Sequence, residues 1–228
     1  MRALAFSSSI RTPDGNTVKN KQSLIYLGSS LSSDGRVASE VGRRIGQAKA
    51  DFDALRKVWS HSRLAVDRKL RIYDACVVSK LAYGLHTATL NKTERCRLDG
   101  FHARRLRRIL RIQHAFYSRV SNKAVLSLAK SMALSTRILQ RQLLYLGDIA
   151  RRGHEDPVRC SVFLPGLLDT IPCGARKQGR PRRTWADTVL GFAQDIAGTP
   201  QKFSALMAPT AHATSAWRAA ALKYSIQL

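Results

Sequence analysis

The strongest constraint on how this chain folds is an apolar stripe. Val37, Val41, Ile45, Ala48, Phe52, Leu55 and Trp59 recur at spacings of 4, 4, 3, 4, 3 and 4, which puts all seven on one face of a helix. Asp34 or Ser39 stands where it could cap the start. Val66, Leu70, Tyr73, Val77 and Leu81 mark a second helix ending near Gly84. Leu98, Phe101, Leu106, Ile109 and Leu110 mark a third, opening at an Asn91 or Thr93 cap and running to Ile112. Three such helices with short joins predict a three-helix bundle over 36–114. Ahead of it, in 1–35, the turn signals Pro13-Asp14-Gly15-Asn16 and Ser32-Ser33-Asp34-Gly35 flank a strand-like stretch over 23–29, a short N-terminal β-hairpin.

Beyond the bundle, 115–153 predicts connecting helices at 121–130 and 136–152, the second with Ile138, Leu139, Leu143, Leu146 and Ile149 inward. Residues 154–183 are broken by proline and glycine and carry a basic segment, a linker or arm. The stretch 184–228 fits C-terminal helices at 184–197 and 212–225, with Pro200 and Pro209 between them. The expected class is mainly α.

Charge then limits what such a body can be for. Lys plus Arg number 39 against 15 Asp plus Glu, a net charge of +24. Residues 1–114 carry +14 and residues 115–228 carry +10, so the folded body itself is basic rather than a neutral domain with a basic tail. Such an excess repels itself unless a polyanion offsets it. Nucleic acid is the first candidate, because counterion release rewards many phosphate contacts, and an anionic membrane surface is the second. Arginine dominates the cations, and its guanidinium fork pairs with phosphate oxygens two at a time. Apolar residues make up 44%, enough for a core, and no apolar run is long enough to span a membrane. The opening MRALAFSSSI is too short in apolar residues for a signal-peptide core. Cys76, Cys96, Cys160 and Cys173 lie far apart with no C-x-x-C pair, which fits reduced intracellular thiols rather than zinc or a disulfide framework.

Two segments concentrate the charge. In FHARRLRRILRIQH (101–114), Arg104, Arg108 and Arg111 share one helix face, with Arg105 and Arg107 beside them and no acid among them. Leu106, Ile109 and Leu110 can face the core while the arginines track a phosphate backbone, and Arg43 adds a cation on the first helix. The alternative is a solvated helix face. In ARKQGRPRRTW (175–185), Arg176, Lys177, Arg180, Arg182 and Arg183 surround Gly179 and Pro181, an extended arm suited to a groove or to phosphates, and equally to a nuclear-localisation signal. Phe116, Tyr117 and Trp185 lie in basic stretches, where rings can stack on bases, but core packing is the commoner role.

Chemistry-bearing patterns are few. No Asp-Asp pair, P-loop, G-x-S-x-G or histidine pair of metal-ligand spacing occurs. Cys76 lies within an apolar helix pattern, a core position rather than a nucleophile. We therefore assign no catalytic residue, metal or cofactor.

The order of segments nonetheless resembles a known family. YLGSSLSSDG (26–35) followed by RRIGQAKADFDAL (43–55) resembles the region just after the catalytic palm of non-LTR (LINE-type) retrotransposon reverse transcriptases, where a strand ending in Tyr-Leu-Gly enters the thumb. KLRIYDACVVSKLAYG (69–84) and RLDGFHARRLRRILRI (97–112) are similar to that thumb's second and third helices. RILQRQLLYLGDIAR (137–151) and GRPRRTW (179–185) resemble segments C-terminal to the thumb in many such elements. Where the family commonly has Tyr-Gly-Cys-Glu-Thr-Trp, this chain has Tyr83-Gly84-Leu85-His86-Thr87-Ala88, and the palm with its Tyr/Phe-x-Asp-Asp metal site is missing. The resemblance implies a thumb-like bundle and a C-terminal fragment of a polyprotein. It would bind RNA or DNA by its backbone, without a polymerase site of its own, and work beside a palm module supplied separately. The competing classes are a basic protein-interaction or membrane-surface module, a part that completes an enzyme in trans, and a decayed open reading frame without selected function.

Overall fold

The computed structural model describes residues 13–15, 21–33, 35–172 and 184–224. The chain is mainly helical, with one short antiparallel hairpin near its N-terminus. Strands β1 (Ser23–Tyr26) and β2 (Ser29–Ser32) pair Leu24 with Leu31 and Tyr26 with Ser29. The stretch expected to be one strand over 23–29 is thus folded in two. Leu27 and Gly28 both have positive φ, 47° and 77°, the tight turn whose twist matches that of paired strands. A leucine in the first of these positions gives no turn signal, which is why the turn is not legible in the sequence.

Helix α1 (Ala38–Ala54) buries Val41, Ala48 and Phe52 as the stripe requires. Its N-cap is Val37, with no side-chain cap from Ser39, and Asp34 lies outside the described residues. The stripe does not continue as one helix. The backbone leaves helical geometry at Leu55, and α2 (Arg56–Ser60) starts anew. The break lets the indole of Trp59 donate to the Phe52 carbonyl at 2.7 Å and stack on the Phe52 ring, centroids 4.9 Å apart.

Helix α3 (Val66–Tyr73) runs into a π-helical turn (Asp74–Val78) and a last turn, α4 (Ser79–Leu81). Tyr73, Val77 and Leu81 are buried, while Val66 is exposed. The π turn shifts the register by a residue, so Cys76, expected in the core, faces solvent. Helix α5 (Lys92–Ile109) opens on the expected cap: Asn91 accepts from the Glu94 N–H and Glu94 from the Asn91 N–H. After α6 (Ala115–Ser118) and α7 (Asn122–Leu128) comes α8 (Leu134–Ala150).

Helix α8 belongs to two cores at once. Leu134 and Ile138 complete the first with α1, α3, α4 and α5. Leu139, Leu143, Leu146 and Ile149 found the second, closed by α9 (Pro157–Cys160), α10 (Trp185–Ala197), α11 (Pro200–Met207) and α12 (Ala211–Lys223). The stretch expected to be a linker is packed over 157–172. Phe163 is buried and bridges Thr170, and Arg159 is buried against the carbonyls of Ala150 and Leu167. Pro200, expected as a breaker, instead starts α11 behind a Thr199 cap, where its missing N–H costs nothing.

Trp217 of α12 donates its indole N–H to the Leu143 carbonyl of α8 at 3.0 Å. This contact needs Gly147, because a Cβ there would overlap the Trp217 indole. Gly147→Ala is expected to lower stability by about 1–3 kcal/mol despite alanine's better helix propensity, read as a lower urea midpoint.

A second prediction concerns acid. Tyr73 and His102 are buried and share a 3.0 Å hydrogen bond, and the other ring nitrogen of His102 lies 3.2 Å from Ser131 Oγ. Neutral imidazole satisfies both, accepting from the Tyr73 O–H at Nδ1 and donating from Nε2. Burial, with Arg137 nearby, pushes the His102 pKa from 6.5 down to about 4. Protonation therefore favours the unfolded chain: the stability is fully present above pH 6.5 and is lost as pH falls toward 4. The loss attributable to His102 between pH 7 and 5 is about 2 kcal/mol, and His102→Gln should flatten the pH dependence of the urea midpoint.

Candidate nucleic-acid interface

The arginines proposed from sequence divide by what the fold asks of them. Arg43 does not face solvent freely. It donates to both oxygens of Glu40, at 2.8 and 2.7 Å, and to the Gly28 carbonyl at 2.6 Å. Arg44 meets the same two partners, and the Ser30 N–H donates to Glu40 as well. Burial pushes the Glu40 carboxyl up, but the hydrogen bonds from Arg43, Ser30 and Arg44 outweigh it and hold the carboxyl below its ordinary value. This cluster fastens the hairpin to α1, so Arg43 acts as a structural residue.

Arg107 is likewise turned inward. It is buried and donates to the Val120 carbonyl at 2.6 Å and to Asn122 Oδ1 at 3.0 Å, tying the segment after α5 back onto the bundle. The helical face that was to present it continues around the core side. Arg105 lies across the Phe52 and Phe101 rings at 4.8 and 4.9 Å, with Asp53 3.9 Å away. Burial pushes its pKa down, and Asp53 partly opposes this. Arg111 also departs from the expected face. Helix α5 ends at Ile109, and Arg111 takes a left-handed conformation, φ 58°, while the Ile112 N–H bonds back to the Arg107 carbonyl.

What remains in solvent is a ridge. Arg104 and Arg108 are exposed on the C-terminal half of α5, and Arg111 is exposed just beyond its end. Among the described residues only Asp53 approaches them, 3.5 Å from Arg108. Arg97 continues the ridge seven residues before Arg104, packed beside Gly42 of α1, where a Cβ would lie 3.6 Å from its guanidinium. Because Gly42 meets Arg97 and Asp53 meets Arg108, α1 and α5 run in the same direction. Lys49 lies between Gly42 and Asp53 on the facing stripe of α1.

Exposed cations continue past His114, where the basic segment singled out in the sequence ends: Arg119 and Lys123 are exposed beside the segment that Arg107 ties to α5, and Lys130 is exposed in a cleft with Asp67 and Asp74. Arg119 and Lys130 repeat the left-handed backbone of Arg111, with φ 53° and 48°. Phe116 and Tyr117, expected in the core, are 66% and 74% exposed on α6. The signal that could have shown this extent is a long acid-free stretch: from Gly100 to Gly147 the chain has ten basic and no acidic residues. Trp185, in contrast, is partly buried, donating to the His86 carbonyl at 2.9 Å and meeting the Tyr145 ring edge-on.

Arg176, Lys177, Arg180, Arg182 and Arg183 lie outside the described residues. The described residues on either side are held together, Thr170 donating to Asp187 at 2.6 Å. They lie near the N-terminal end of α5, where Thr184 and Thr188 line one cleft with Asn91, Glu94 and Arg95. Arg104 and Arg108 lie toward the other end of this 18-residue helix, Arg104 about 18 Å along it.

Among the described residues, no group of three or more His, Cys, Asp or Glu side chains could hold a metal ion, and no helix is long and apolar enough to cross a membrane. No protein-family model matches the chain, nor does any curated protein or solved structure.

The division among the arginines is measurable. Arg107→Gln is expected to cost about 1–3 kcal/mol of stability, since it removes a buried side chain's bonds to the Val120 carbonyl and Asn122. Arg104→Gln should stay within about 0.5 kcal/mol. Urea midpoints of the two variants provide the comparison.

Proposed function

We propose that this protein is a nucleic-acid-binding module that holds an RNA or DNA phosphate backbone without base specificity and carries no polymerase site of its own. On this reading it is the thumb and post-thumb part of a non-LTR reverse transcriptase polyprotein and works beside a separate palm module. The observation that carries the binding role is the exposed ridge of Arg104, Arg108, Arg111 and Arg119, with one exposed carboxylate near it. A solvated helix face of this length ordinarily carries interspersed acids, because like charges four residues apart destabilise a helix. Here packing, not neutralisation, holds the like charges together. The family assignment is supported by five motifs that fall in the family's order.

The test is salt dependence. Changing Arg104, Arg108, Arg111 and Arg119 to Gln together should lower the slope of log affinity against log salt by about 3, since each phosphate contact contributes about 0.7–0.9. All four side chains are exposed, so the fold should survive, which circular dichroism verifies. An unchanged slope with unchanged affinity removes the ridge from the interface.

A further inference from the structure

We infer that Phe116 and Tyr117 form a stacking platform for unpaired bases, so that the strand held by the arginine ridge is single-stranded where it crosses α6. This rests on the nucleic-acid reading above and adds the class of strand. Both rings stand in solvent, in edge contact with each other at 5.3 Å, and the Arg119 guanidinium lies 5.3 Å over the Phe116 ring. The turn beneath them is fixed. His114 Nδ1 accepts from the Phe116 N–H at 3.4 Å, and Arg107 reaches up from α5 to the Val120 carbonyl. The rings are thus exposed on a turn anchored from within.

The backbone on either side points the same way. Arg111 and Arg119 bracket the turn, and both adopt left-handed φ, a conformation whose cost glycine would avoid. Both are exposed, so no burial offsets that cost. What Arg119 retains is a guanidinium set over the Phe116 ring, and Arg111 an exposed cation just ahead of the turn, in a stretch of chain that contains no carboxylate. Phosphates alone would make no use of the rings, and the bases of a duplex are stacked on each other. Unpaired bases offer π faces to the rings while their phosphates meet the arginines.

The experiment uses the full chain and three ligands of equal length: oligo(dT), an abasic deoxyribose-phosphate oligomer, and a DNA duplex. Phe116→Ala with Tyr117→Ala should weaken oligo(dT) binding by about 10- to 100-fold. Affinity for the abasic oligomer and the duplex should hold within about twofold, and Phe116→Trp with Tyr117→Trp should retain oligo(dT) binding. If the alanine pair binds oligo(dT) like the native chain while binding stays steeply salt-dependent, the platform is overturned and the backbone-binding role stands. If the native chain binds none of the three at low salt, both fall. If the alanine pair loses binding to phosphatidylserine vesicles but keeps oligo(dT), the rings serve a membrane surface and the inference fails.

Discussion

The fold depends on one helix being wanted by two cores. Most of α8 is buried, on sides that face different partners, and each polar group on those sides must find a partner. The helix does so with long-range contacts. Asp99 of α5 caps its first turn from outside, accepting from both the N–H and the hydroxyl of Ser135 at 2.8 and 2.6 Å. Gln142 donates to the Ala88 carbonyl, and Gln140 to the carbonyls of Leu222 and Tyr224 near the end of α12. Trp217 approaches over Gly147 and donates to Leu143. The two cores are therefore not separable domains: a disturbance in α8 reaches both.

With so few acids, the chain satisfies many of its cations with main-chain carbonyls. Arg43 and Arg44 share Gly28, Lys69 takes Trp59 and His61, Arg95 takes Leu90, Arg107 takes Val120, and Arg151 takes Leu206. These cations cap helix ends and fasten loops. Net charge thus overstates the charge free of intramolecular partners, and the exposed cationic surface is the subset that the fold leaves without such work. A cation satisfied by a carbonyl keeps its full charge, however, so the body stays strongly positive and continues to attract polyanions at long range.

Much of the architecture is legible in the sequence because it is written in periodicity and caps. The stripe of α1, the Asn91 cap and the apolar face of α8 all rest on local patterns that the tertiary structure retains. The departures have equally definite causes. The break at Leu55 is set by the Trp59 bond to Phe52, a contact that spacing does not reveal. The π turn moves Cys76 off the face its spacing implies, and the prolines and glycines of 157–172 shape a packed loop rather than a flexible one. At the candidate interface, helical spacing finds Arg104 and Arg108. It also assigns Arg43 and Arg107 to a surface that they do not face, because spacing counts charges and cannot see which carbonyl or carboxylate claims them. Phe116 and Tyr117 are expected inside only because aromatic residues usually are.

The left-handed cations at the ends of three successive helices carry an evolutionary consequence. Replacing Arg111, Arg119 or Lys130 by glycine would relieve backbone strain of about 1 kcal/mol each, so these are places where a random change can make the body sturdier. Lineages that keep a cation there forgo that gain. Drift toward glycine at all three, with the cores intact, would mark chains selected only to stay folded.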